Sequence, residues 1–343
     1  MARQDVSSFE LFEGGSLMET RELGRTGRNV GVIGLGAWQL GADWGQVDEA
    51  DAFATLRAAV EAGVSFIDTA DVYGDGRSEQ FVGRFLREAG APLTVATKMG
   101  RRVAQEAANY NAENFLAWND RSLRNLDVER IDLVQLHCPP DEVYADDRVF
   151  DALDDLVERG RIAAYGVSVE TCEQALSAIR RPNLASVQII LNAFRLKPLE
   201  QVLPAARAAG VGIIARVPLA SGLLSGRYTV KTEFAADDHR AFNRHGEAFD
   251  VGETFSGVDY ETGLEAVERL RPLVPEGVSL AQFALRWIAD QDAVSVVIPG
   301  ARNPEQARAN AAAGSLPHLT PEAHQAVSEV YDELIKPLVH DRW

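Results

Sequence analysis

Cysteine is nearly absent: the chain of 343 residues holds two, Cys138 and Cys172. Two cysteines cannot build a disulfide framework, and neither sits in a CxxC or Cys/His cluster that would hold a metal. Basic residues are also scarce. Lys and Arg number 34 against 51 Asp and Glu, a formal net charge of −17. Nucleic acid and anionic membranes both demand basic surface, so neither is an expected partner. A smaller anionic ligand would need a local basic pocket. No apolar run approaches membrane-spanning length. The N-terminus shows no apolar segment flanked by positive charge, so no secretory signal is visible and a cytoplasmic location follows by default.

What is present is ample core material, 46% hydrophobic residues. A length of this order is common for one αβ barrel and does not force two domains. Residues 1–17 lack periodicity and read as a disordered tail; residues 18–343 read as a single domain. Within METRELGRTGRNVGVIGLG a short hairpin turns at Arg25-Thr26-Gly27-Arg28 and leads into a strand, VGVIGLG. Seven further β-branched runs follow: SFIDTA, LTVATK, IDLVQLH, IAAYGVSV, ASVQIIL, VGIIARV and AVSVVIPG. Between them lie segments with apolar residues at three- and four-residue spacing, such as DEADAFATLRAAVEAG and LEQVLPAARAAG. Repeated strand–helix units imply parallel strands with right-handed crossovers. Eight of them favour an α/β fold of the (β/α)₈ barrel type over an open doubly wound sheet. From Pro218 to about Glu276 the pattern turns irregular, which reads as a lid at the mouth or, alternatively, as a tolerated surface insertion. TPEAHQAVSEVYDELIKPL, with Thr320 as its cap, reads as an extra C-terminal helix.

Active sites of such barrels lie at the C-terminal ends of the strands. Asp68, Lys98 and His137 each end a strand-like run, and Tyr73 follows Asp68 by five residues. Singly, these residues are commonplace: an Asp as a turn former, a Tyr as packing, a Lys as a solvated end, a His as a half-buried ring. Together on successive strands they make a proton-transfer site. A free phenol titrates near ~10. A neighbouring Lys⁺ should lower that value, with Asp68 holding the amine charged. Tyr73 could then protonate a developing alkoxide, and His137 could orient a carbonyl oxygen.

FIDTADVYG, TVATK and LHCP resemble the aldo-keto reductases. The resemblance covers essentially Met18 to Leu338 and includes VIGLGAWQLG, YGVSV, VPLASGLLSGRY and VIPGARNPEQARAN. It is closest to the bacterial and potassium-channel-β-like branch, which has a long loop after the seventh strand. The resemblance implies reversible hydride transfer between a nicotinamide and a small-molecule carbonyl or alcohol, without a metal. Tyr73 would be the general acid/base, tuned by Lys98 and Asp68, and His137 would orient the substrate. Trp38 would line the nicotinamide end or the substrate pocket, with Asp68 also near the cofactor. Ser168 and Gln188 match residues that hydrogen-bond the carboxamide, and Asn192 lies near them. Arg216 stands where relatives commonly stack an aromatic residue on the nicotinamide. Pro218, Leu219, Ser221 and Arg227 match the loop over the pyrophosphate. Gly300, Arg302, Gln306 and Asn310 match the adenosine end, with Arg302 for the 2′-phosphate, so NADP(H) is favoured over NAD(H).

Two other functional readings compete. A regulatory cofactor-binding protein like the potassium-channel β subunits shares the fold, but those subunits carry Asn where His137 stands. A barrel hydrolase or aldolase with Lys98 as Schiff-base nucleophile leaves the nucleotide motifs unexplained. Gly34-Leu35-Gly36 hints at a Rossmann fingerprint, but Gln39 replaces the third glycine and no helix opens there. Oligomeric state is open. Trp118 and Trp287 fall in helical patterns and read as core or interface; Trp343 reads as frayed or simply packed. Cys138 reads as a packed thiol.

Overall fold

Helix starts in this chain are written locally. Asp48 accepts from the backbone N–H of Ala50 to open the helix Glu49–Glu61. Asn111 and Thr320 cap Ala112–Leu126 and Pro321–Val330 in the same manner. Thr171 and Ser279 form reciprocal capping boxes with Gln174 and Gln282. Such side-chain acceptors satisfy N–H groups that no helix can satisfy for itself. The computed structural model describes residues 17–41, 48–236 and 238–343. Apart from Leu17, the expected tail lies outside the described residues.

An antiparallel pair, β1 (Thr20–Glu22) and β2 (Asn29–Gly31), forms the expected hairpin. Eight parallel strands follow: β3 (Leu35–Gly36), β4 (Phe66–Asp68), β5 (Thr94–Met99), β6 (Leu133–His137), β7 (Tyr165–Ser168), β8 (Ser186–Ile190), β9 (Gly212–Arg216) and β10 (Val294–Val297). Each pairs with its successor in order. Bridges between Ile33 and Val297 and between Gly36 and Gly300 join the first strand to the last. The result is the (β/α)₈ barrel, and the open-sheet rival is excluded. Almost every strand residue is buried, as expected where helices cover the outside and side chains fill the inside.

Two expectations need correcting. VGVIGLG is not one strand: Val30 and Gly31 belong to the hairpin, and only Leu35 and Gly36 form a barrel strand. The chain bends between them at Val32, and at Gly34 a Cβ would lie 2.9 Å from the Phe66 carbonyl oxygen. The segment after Pro218 is also more ordered than its composition suggested. Asp238, Asp250 and Asp259 accept from the backbone to start a short helix (His239–Phe242), a 3₁₀ turn (Val251–Glu253) and a full helix (Tyr260–Leu270). The last of these carries helical spacing that the surrounding glycines and charges obscured. The C-terminal helix is present and continues through a π turn at Tyr331–Ile335.

The barrel interior is apolar at its lower end. Phe66, Ala96, Leu133, Ile214 and Val296 pack there with Leu23 and Val30 from the hairpin, which plugs the bottom. This plug requires backbone-to-backbone approach. Gly24 has φ +48, and a Cβ on it would lie 2.0 Å from the Ala185 carbonyl oxygen and 2.4 Å from the Gly212 nitrogen. Gly27 in the same turn has φ +68 but open space around it. Gly27→Ala should therefore cost about 1 kcal/mol, the left-handed backbone penalty alone. Gly24→Ala should cost several times that, because strand backbone must also move. Urea unfolding of the two variants checks this; equal losses would show that the plug does not bear on β8 and β9.

Candidate active site

The upper end of the barrel interior is polar. Asp68 ends β4, Lys98 lies one residue before the end of β5, and His137 ends β6. Register places Lys98 beside Gln135, and His137 beside Ser168, which in turn sits beside Gln188. Lys98 Nζ donates to Asp68 Oδ1 at 2.5 Å, to the Thr69 carbonyl at 2.9 Å and to the Tyr73 hydroxyl at 3.1 Å. All three donors of the ammonium are thereby used. Asp68 Oδ2 accepts from Gln188 at 2.8 Å and Gln135 at 3.1 Å. The Tyr73 and His137 ring centroids are 5.9 Å apart, edge to face. The four residues therefore converge as the strand order implied.

Their protonation states follow from burial and from one another. Burial alone pushes the Lys98 amine down, but Asp68 and then Tyr73 outweigh it, so its pKa lies above the ordinary value and it stays charged. Burial pushes the Tyr73 phenol up, and Lys98 offsets only part of that rise. The expectation of a lowered phenol pKa is thus corrected: removal from water outweighs the nearby cation. A neutral phenol at physiological pH is the form that donates a proton. Burial, then Arg101, Lys98 and Arg216, hold His137 well below the ordinary imidazole value, so the ring is neutral. Its Nδ1 is buried without a hydrogen-bond partner.

A cavity of about 950 Å³ opens over these groups, at the upper end of the ~300–1,000 Å³ usual for small-molecule sites. Its walls include Trp38, Ser168, Gln188, Arg216, Pro218, Leu219, Ser221, Arg227, Gly300, Arg302, Gln306 and Asn310, every cofactor candidate besides Asp68, itself also in the lining. Asn192 is not in the lining. Its amide donates to the Val217 carbonyl and Ser256 Oγ, both at 2.9 Å, so it organises the loop above β9. Gln188 is turned toward Asp68 rather than left free, and Ser168 Oγ lies 3.4 Å from the Cys138 thiol.

At the far end, Asn303 caps the helix Pro304–Ala312 by accepting from the Gln306 N–H. Gln306 Oε1 accepts from the Arg302 N–H at 2.9 Å, and Asn310 donates to the Gly300 carbonyl at 3.1 Å. This end is a braced turn before a helix N-terminus, suited to an anion. Gln39 Oε1 is a buried acceptor with no donor, and a Cβ at Gly300 would lie 2.9 Å from it. An unsatisfied acceptor against a bare glycine is what a ligand's N–H or O–H groups would complete. The residues present fit an extended dinucleotide.

The lid supplies what sequence reasoning missed. His239, Arg240, Phe249 and Glu253 all line the cavity. Phe249 and His239 lie 6.2 and 5.6 Å from the Trp38 ring, making an aromatic wall. Glu253 pairs with buried Arg216, whose Nη2 also donates to the Val169 carbonyl at 2.8 Å. No local signal marked Glu253; its partner is 37 residues away. The lid is anchored by Trp343, which at 5% exposure is packed, as one of the two readings had it, and not frayed. Its Nε1 donates to the Asp250 carboxylate at 3.1 and 3.2 Å, and Arg195 stacks 3.5 Å over its ring. Trp118 and Trp287 are core residues, and both cysteines are free and buried.

Fold and site together define a barrel oxidoreductase with a Tyr–Lys–Asp–His centre beneath a dinucleotide-sized cleft. The model of the aldo/keto reductase family matches residues 32–332, and the chain belongs to that family. It is 32% identical over 299 residues to the aldo-keto reductase YhdN of Bacillus subtilis, covering 85% of this chain and 87% of that one. It is 32% identical over 327 residues to a probable voltage-gated potassium channel subunit beta of Oryza sativa, covering 91% and 96%. The structure is similar to the glycerol dehydrogenase AKR11B4 of Gluconobacter oxydans, with a TM-score of 0.75 at 31% identity over 94% and 96% of the two chains. Among the described residues, no cluster of His, Cys, Asp or Glu could hold a metal ion, and no helix is long and apolar enough to cross a membrane.

Asp71, two residues before Tyr73, is the unexpected group. It is 1% exposed, and neither carboxyl oxygen has a partner. Burial, then the charge of Glu79, raises it from an ordinary 3.8 to about 7. An acid that titrates higher in the folded chain than in the unfolded one costs nothing below its unfolded value. The cost grows as pH rises from about 4 to about 7 and is constant beyond. Asp71→Asn should therefore stabilise the protein at pH 8 by roughly 4 kcal/mol more than at pH 4. Urea midpoints at the two pH values test this; a pH-independent effect would refute it.

Proposed function

We propose that this chain is an NADP(H)-dependent reductase that converts an aldehyde or ketone to the alcohol. The observation that carries the reading is the hydrogen-bonded line Asp68–Lys98–Tyr73 with neutral His137 beside it. Tyr73 holds the proton for the carbonyl oxygen at its phenolic O–H. Lys98 stabilises the phenolate left behind, and Asp68 keeps Lys98 charged and fixed. A neutral imidazole can donate one hydrogen bond to the substrate oxygen without competing for its proton. When bound, the nicotinamide supplies the hydride. Ser168, Gln188 and Arg216 would border its carboxamide end; Ser221 and Arg227 the pyrophosphate; Arg302, Gln306 and Asn310 the adenosine end. Ser221 is set for this by a left-handed backbone, φ 54, with its Oγ donating to the Glu253 carbonyl at 2.8 Å.

Arg302 supports a preference for a cofactor with a 2′-phosphate. Its guanidinium lies 3.8 Å from Asp238 and is about half exposed, so a phosphate can reach it. The similarity to a potassium channel subunit supports a second reading, a regulatory protein that binds the cofactor as a signal. His137, in place beside Tyr73, argues for chemistry instead.

Tyr73→Phe should lower turnover by about 10²–10⁴-fold, the range for loss of a positioned proton donor. NADPH affinity, read by tryptophan fluorescence, should change less than about threefold, since the ring and its packing are kept. Equal turnover in the variant would remove Tyr73 from its role, and no carbonyl reduction by the intact protein would favour the regulatory reading. Arg302→Ala should weaken NADPH by about tenfold or more and leave NADH nearly unchanged, the loss of one charge-assisted contact. Equal loss for both cofactors would show that Arg302 does not read the 2′-phosphate.

A further inference from the structure

The reductase reading leaves the substrate undefined beyond its carbonyl, but the cavity wall carries more. The charges that act on the His137 ring are all cationic: Arg101, Lys98 and Arg216. Lys98 is fully engaged by Asp68, Thr69 and Tyr73. Arg216 is engaged through both terminal nitrogens, while its Nε is buried without a partner. Arg101 differs from both. It lines the cavity, is 27% exposed, and donates through Nη2 alone, to Glu170 Oε1 at 2.8 Å. Its Nε and Nη1 donate to nothing among the described residues. A guanidinium has two edges that match a carboxylate in two-point fashion, Nε–Nη2 and Nη1–Nη2; Glu170 takes one N–H of Nη2, so one edge stays whole.

The placement of Arg101 is built rather than incidental. It follows the end of β5 by two residues, across Gly100 with φ +114. A Cβ at Gly100 would lie 2.9 Å from the Tyr110 ring, so the turn is packed tightly before Arg101 enters the wall. Burial raises the Glu170 carboxyl, and the charge of Arg101 offsets part of that rise. A half-satisfied cation in the reaction cavity runs against a chain whose formal charge is −17. Solubility or surface charge does not account for it.

We propose that Arg101 is a carboxylate-binding residue of the substrate site, and that the substrate is a carbonyl compound carrying a carboxylate a few carbons from the reacting carbon. This rests on the reductase reading. Hydride from NADPH goes to the carbonyl carbon and the Tyr73 proton to the carbonyl oxygen; the carboxylate takes no part and the product is a hydroxy acid. A phosphate monoester fits less well, since the one whole edge left beside a glutamate matches one planar carboxylate rather than a dianion.

The test compares kcat/KM for 4-oxobutanoate, its uncharged methyl ester and glyceraldehyde 3-phosphate, with NADPH. The wild type should favour 4-oxobutanoate over the ester by about tenfold or more, the scale of one charge-assisted pair. Arg101→Gln should collapse that ratio, Arg101→Lys should restore part of it because the charge returns, and Glu170→Gln should raise it by removing the competing anion. Calorimetric binding of 4-hydroxybutanoate against 1-butanol, measured on the protein with NADP⁺, reads the same subsite without turnover and should show selective loss in Arg101→Gln. An ester turned over as well as the acid, a preference for the phosphate, or a ratio that Arg101→Gln leaves intact would each overturn the proposal while leaving the reductase standing. Failure of every carbonyl with NADPH, alongside Arg101-dependent binding of the hydroxy acid, would instead bring down the reductase reading and keep Arg101 as the carboxylate-binding residue.

Discussion

Two charges buried at the top of the barrel, Lys98 and Asp68, constrain everything around them. Removing an ammonium and a carboxylate from water costs several kcal/mol per ion unless each is paired and hydrogen-bonded. Here the demand is met by groups drawn from around the barrel: Gln135 from β6, Gln188 from β8, the Thr69 carbonyl and the Tyr73 hydroxyl after β4. The strand register that brings these groups level also sets His137 beside Ser168. Below this layer the interior is apolar and plugged by the hairpin. The polar layer and the apolar plug divide the labour that the fold assigns to its two ends, chemistry above and stability below.

Above the polar layer, order comes from the lid. Buried Arg216 would be a costly isolated charge; Glu253, delivered by the lid, makes it tenable. Ser221, Asn192 and Ser256 tie the same loop to the strand ends, and Trp343 holds it from the other side through Asp250. The cavity wall is therefore assembled from β-strand ends, a long insertion and the C-terminal segment. Loosening any of these would reach Arg216.

Much of this was legible in the chain itself. The β-branched runs gave the strand order, and acids, amines and rings at strand ends gave the polar layer, because a period-two strand leaves few choices about which side chains meet. Gln135 was missed because an amide inside a buried run has no pattern of its own; only the closed barrel shows it facing Asp68. Glu253 and Phe249 were missed for a related reason, since loop residues are placed by contacts remote in sequence. Tyr73 illustrates a different limit. Its neighbours were identified, but the balance between burial and the Lys98 charge depends on solvent access, which no spacing records. The split of VGVIGLG between hairpin and barrel follows from partners remote from it, β1 for its first half and β4 for its second.

The bridges that seal the barrel join Ile33 to Val297 and Gly36 to Gly300, residues separated by most of the chain. This has a consequence for biosynthesis. While the chain is being made, β3 has one open edge and the mouth has no adenosine end, since Arg302 and its helix are translated almost last. Unpaired strand edges are the places where nascent chains associate wrongly. A dinucleotide can help only after the seal forms, because ligand stabilisation acts on states that already possess the site. Cofactor supply should therefore protect the finished barrel rather than guide its folding.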